Sequence, residues 1–65
     1  MIKVNGERSE WFRGKTIKDI ILEKNYSFPL LIVRINGKFI PRNRYESTAV
    51  PDNAAVDILH LMSGG

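Results

Sequence analysis

A chain of 65 residues without cysteine fits one small domain whose thin core is held by packing alone, and its lack of thiols suits a reducing compartment. Its 43% hydrophobic and 26% charged residues are ordinary globular composition, and its formal charge of +3 is scattered apart from Lys38, Arg42 and Arg44, without the dense basic cluster of a nucleic-acid binder. No apolar run approaches the ~20 residues of a membrane span, and the start Met1-Ile2-Lys3-Val4-Asn5 lacks a signal-peptide pattern, so a cytoplasmic protein with neither nucleic-acid nor membrane partners is expected.

In chain order, residues 2–5 predict a short strand with Ile2 and Val4 on one face. Asn5-Gly6 is a hairpin signal, and residues 9–13, with Trp11 and Phe12, are read as the returning strand. Gly14 ends it. Thr16 precedes Asp19 by three residues, the spacing of a capping box, which predicts a helix over about residues 17–24. Ile17, Ile20 and Ile21 form its buried face and Leu22 lies off that stripe. Asn25 is the helix stop, and Ser27 and Pro29 prevent continuation.

Residues 30–35, Leu-Leu-Ile-Val-Arg-Ile, are the most strand-like run. Asn36-Gly37 is a second hairpin turn, and Lys38-Phe39-Ile40 returns until Pro41 halts it. Arg42 to Ala49 is polar and irregular, with room for one helical turn. Pro51-Asp52-Asn53 is another turn. Val56 to Leu61 is the last strand, followed by Met62-Ser63-Gly64-Gly65. One helix covers only one face of one sheet, so this order predicts an α+β fold with a mostly antiparallel sheet of four to five strands and its other face open.

Strand parity points to that open face. Arginine is rarely buried unpaired, so Arg34 faces outward with Ile32, leaving Leu31, Val33 and Ile35 inward. Asp57 likewise turns Leu59 and Leu61 outward and Val56 and Ile58 inward, with His60 at the strand end on the inward parity. Ile32, Arg34, Leu59 and Leu61 are therefore candidate partner-docking residues. Other constellations carry less. Gly14-Lys15-Thr16 resembles the end of a phosphate-binding loop, but Ser9 occupies the position of the motif's first glycine, and the helix-cap reading is preferred. His60 is the one histidine, with no cysteine to join it in a metal site. Side chains next to it on a strand point the wrong way for a catalytic triad. Trp11 and Phe12 could stack on bases, but read better as packing residues.

The run Arg34-Ile35-Asn36-Gly37-Lys38-Phe39-Ile40-Pro41-Arg42, then Tyr45, then Val56-Asp57-Ile58-Leu59 and the terminal Gly64-Gly65 resembles the ThiS family, the sulfur carriers of thiamine biosynthesis. It is similar, less closely, to the MoaD subunit of molybdopterin synthase. The resemblance spans essentially the whole chain. It departs at Asn53-Ala54-Ala55, where the family often has a Gly-Asp turn.

The resemblance implies a β-grasp (ubiquitin-like) domain over residues 1–61, with the last strand in mid-sheet beside the first and third, and a flexible tail over residues 62–65. It implies a covalent carrier, a substrate of other enzymes and not an enzyme itself, that binds no cofactor. An E1-like adenylyltransferase of the ThiF or MoeB kind, using ATP with magnesium, would activate Gly65. A sulfur donor protein would convert the terminus to a thiocarboxylate, and a thiazole synthase of the ThiG kind would accept the sulfur. Gly64 lacks a Cβ and suits threading into a narrow channel with Ser63 and Met62. Four extended residues reach about 14 Å. Such chemistry needs a free terminus, and Gly65 is the last residue of the sequence. The alternatives are a molybdopterin-type carrier, a ubiquitin-like protein modifier, and a non-covalent RNA- or protein-binding module.

Overall fold

The computed structural model describes residues 1–26 and 30–60. Strands β1 (Ile2–Val4) and β2 (Glu7–Ser9) are followed by helix α1 (Ile17–Glu23). Strands β3 (Leu31–Ile35) and β4 (Lys38–Ile40), a single 3-10 turn (Arg42–Arg44) and strand β5 (Ala55–His60) complete the order. The strands form one sheet in the order β2-β1-β5-β3-β4. β5 runs parallel to β1 and antiparallel to β3, and the other pairs are antiparallel. The last strand thus lies between the first and third, as expected of a β-grasp domain.

Both Asn-Gly pairs make the turns read from the sequence. Asn5 and Gly6 have φ of 53° and 83°, and Asn36 and Gly37 have 51° and 83°. Two consecutive left-handed residues match the right-handed twist of a hairpin, and asparagine and glycine tolerate that region best.

The returning strand after Asn5-Gly6 is not over residues 9–13. A two-residue turn sets Val4 directly opposite Glu7, so pairing begins at once and ends with Ile2 opposite Ser9. The chain then leaves the sheet, and Lys15 N–H closes a turn on the Phe12 carbonyl at 3.0 Å. Trp11 packs against the core from this loop, and its indole N–H donates to the Val50 carbonyl at 2.7 Å. Phe12 is half exposed. The Arg34 run begins at Leu31, one residue later than predicted, and the last strand begins at Ala55, one residue earlier, because Lys3 of β1 pairs with it. The predicted end of that strand at Leu61 lies outside the described residues, as does the 62–65 segment.

The core lies between α1 and one face of the sheet. Ile17 and Ile20 are fully buried against Ile2, Val4, Val33 and Val56. Ile21 packs at its margin, and Leu22 is 66% exposed, as its place off the apolar stripe requires. Asn53, at φ 65°, turns the chain ahead of β5, and Ala54 is buried there.

Candidate docking face and carrier terminus

The face of the sheet away from α1 is assembled by strand register. Ile32 of β3 stands directly opposite Leu59 of β5, and Arg34 opposite Asp57. On its other side Arg34 faces Phe39 of β4. Val33, Ile35, Val56 and Ile58 point the opposite way and are buried, as the parity reading has them. Leu31 packs partly buried against the core. Leu59 is 48% exposed and Phe39 59%, while Ile32 between them is half-buried. The apolar stripe is therefore Leu59, Ile32 and Phe39, with the Arg34 and Asp57 charges set into it. Further along the same face Ala55 pairs with Lys3, and Lys3 pairs with Arg8, which makes a basic corner at the β1–β2 edge.

Phe39 was not among the residues picked out from the sequence. Its signal was available: a two-residue Asn36-Gly37 turn places Ile35 opposite Lys38 and hence Arg34 opposite Phe39. Leu61, Met62, Ser63, Gly64 and Gly65 lie outside the described residues. His60 sits at the end of β5 opposite Leu31. It lines a cleft of about 280 Å³ with Asn5, Tyr26, Leu31 and Ile58, off the open face.

Lys15 does not serve a phosphate loop. Its side chain is fully buried, and its ammonium donates to the Glu10 carbonyl at 2.6 Å and to Glu23 Oε1 at 2.8 Å. Among the described residues no group of three or more His, Cys, Asp and Glu is placed to hold a metal ion, and no helix is long and apolar enough to cross a membrane. The perturbed carboxylates sit in loops. A hydrogen bond from Lys18 holds Glu46 below the usual carboxylate range, and one from the N-terminal ammonium does the same for Asp52. Burial raises the Tyr45 hydroxyl above its ordinary value.

The model of the ThiS family matches residues 2–65. The chain belongs to the ThiS family. It is 27% identical over 66 residues to the sulfur carrier protein ThiS of Bacillus subtilis (strain 168), with both chains covered in full. It is also similar to the crystal structure of the thiamine biosynthesis protein ThiS from Geobacter metallireducens, at 26% identity and a TM-score of 0.76, over 98% of this chain and 97% of that one. The fold is accordingly the β-grasp of ThiS, and the ThiS match runs through the Gly64-Gly65 pair.

Proposed function

We propose that this member of the ThiS family of sulfur carriers works through the carboxylate of Gly65. A carboxylate is a poor electrophile. An E1-like adenylyltransferase, using ATP with magnesium, joins it to AMP and releases pyrophosphate. A sulfur nucleophile from a donor protein then displaces AMP at the acyl carbon. Where that nucleophile is a donor persulfide, the acyl disulfide it forms is opened by a thiolate, which takes the donor's sulfur into a new disulfide and leaves the terminus as a thiocarboxylate. A thiazole synthase takes the sulfur onto its substrate, and an oxygen from that substrate or from water replaces it at the acyl carbon, so the carboxylate returns. The protein is a covalent carrier and a substrate in each step; no side chain of its own does chemistry. The family match extending through Gly65 carries this reading. The Geobacter metallireducens relative is a thiamine biosynthesis protein, which favours thiazole over molybdopterin as the destination of the sulfur.

In this reading Leu59, Leu61, Ile32 and Arg34, with Phe39, dock the partners, while Met62, Ser63 and Gly64 thread the terminus into the partner's active site. The exposed apolar stripe suits a hydrophobic partner surface, and the Lys3–Arg8 corner suits an acidic rim beside it. The test is intact-mass spectrometry after incubation with ATP, magnesium, an E1-like adenylyltransferase and a sulfur donor. The expected result is a gain equal to replacing one oxygen by sulfur, absent in a variant lacking Gly64 and Gly65. No gain in the intact chain would overturn the proposal.

A further inference from the structure

β1 ends at Val4, opposite Val56, yet β5 continues to His60. The backbone of Asn5 has already turned toward β2, and its N–H donates to the Val56 carbonyl at 2.8 Å. The Asn5 side chain takes over the pairing. Its Oδ1 accepts from the Ile58 N–H at 2.8 Å, and its Nδ2 donates to the Ile58 carbonyl at 3.0 Å. A carboxamide offers the same donor and acceptor as a peptide group, so it stands in for one more residue of β1. Beyond Ile58 the strand pairing of β5 is with β3 alone, Leu59 opposite Ile32 and His60 opposite Leu31.

The second hairpin holds the start of the same strand from its other side. Asn36 Oδ1 accepts from the Ala55 N–H at 2.9 Å, and the Asn36 N–H donates to the Ala55 carbonyl at 2.8 Å. Two turn asparagines therefore grip β5, Asn36 at its first residue and Asn5 just ahead of Leu59. They do different jobs. Asn36 anchors the end of β5 away from Gly65, and Asn5 ties Ile58 from the β1 side.

We propose that Asn5 is a positioning residue for the carrier terminus: its carboxamide fixes Ile58 and so sets the course of β5 through Leu59 and His60, from which the chain continues to Gly65. The role of Gly65 in this statement rests on the proposed function; the clamp on Ile58 does not.

Asn5→Gly tests it, because glycine keeps the left-handed turn and deletes the carboxamide. Asn36→Gly is the matched control at the other end of β5. Two readouts are needed on the full chain: amide hydrogen exchange at Ile58, and kcat and KM for ATP-dependent pyrophosphate release by the E1-like partner. Asn5→Gly is expected to speed Ile58 exchange by about tenfold or more and to lower kcat/KM about tenfold. Asn36→Gly should leave kcat/KM within about twofold at a similar melting temperature. Asn5→Asp keeps the turn and the acceptor but loses the donor, and should fall between wild type and Asn5→Gly in both readouts. Unchanged Ile58 exchange in both Asn5 variants, or an equal loss of kcat/KM in Asn36→Gly, would overturn the proposal. No pyrophosphate release with the wild type would overturn the proposed function instead, and Ile58 exchange would still decide the clamp.

Discussion

Lys15 is among the largest fully buried side chains of this small core, and it is a cation. It is tolerated there because its ammonium finds the Glu10 carbonyl, both Glu23 carboxylate oxygens and the face of the Phe12 ring, whose centroid lies 5.4 Å away. Glu23 is 42% exposed, so the pair sits where the core meets water and its carboxylate can be rehydrated if the lysine is lost. Lys15→Ala removes the buried stem and leaves the Glu10 carbonyl without this donor. We expect a loss of about 2–3 kcal/mol in unfolding free energy, read from urea denaturation. Lys15→Met keeps most of the volume and should lose less.

Helix α1 has seven residues, too few to persist alone in water. Its ends are closed at every step. Thr16 Oγ1 accepts from the Asp19 N–H at 3.2 Å and Asp19 Oδ2 accepts from the Thr16 N–H at 2.9 Å. The N–H groups of Ile17 and Lys18 reach the carbonyls of Thr48 and Tyr45, so the segment before β5 completes the cap. At the other end Asn25 is left-handed at φ 60°, its N–H bonds to the Leu22 carbonyl, and Tyr26 N–H bonds to that of Ile21. That pair of bonds is a Schellman stop, made with asparagine instead of glycine. Thr16→Ala is expected to cost about 1 kcal/mol, a fall of roughly 4–8 °C in Tm for a domain of this size, measured by circular dichroism.

Across the domain, the helix covers one side of the sheet and leaves the other open, with Leu59 and Phe39 exposed on it. Leu59→Asp separates the two sides: a charge at a half-exposed position should change stability by less than about 1 kcal/mol while weakening binding of the E1-like partner by about tenfold or more. Circular dichroism and calorimetric titration read the two effects. A cooperative loss of the folded spectrum would show that position 59 belongs to the core. The two lowered carboxylates give stability a small dependence on acid pH. Asp52 takes the N-terminal ammonium at 2.8 Å, and Glu46 takes Lys18. Each releases its proton more readily in the folded chain than in the unfolded one. The stability they contribute is therefore complete above the ordinary values of 3.8 and 4.5, and is lost as the pH falls through the lowered ones. Both groups are solvent-exposed, so the effect is small and weakens with salt. The double variant Glu46→Gln with Asp52→Asn should flatten the acid side of a stability-versus-pH curve.

Much of this molecule is written in local patterns. The Asn-Gly turns, the Thr16–Asp19 cap, the Asn25 stop and the inward alternation around Arg34 and Asp57 each depend on neighbours a few positions away, so they could be read before any fold was known. The resemblance carried by Asn36-Gly37, Pro41-Arg42 and Gly64-Gly65 supplied the family. What could not be read there depends on residues brought together only by folding. The strand over residues 9–13 was misplaced because aromatic content suggested a strand where pairing had already ended at Ser9. Nothing beside Lys15 in the chain marks it as buried; that depends on Glu10 and Glu23 closing on its ammonium. Asn5 reads as a turn residue and nothing more, since its second role needs Ile58 beside it, and only the packing of β5 against β1 brings those two together.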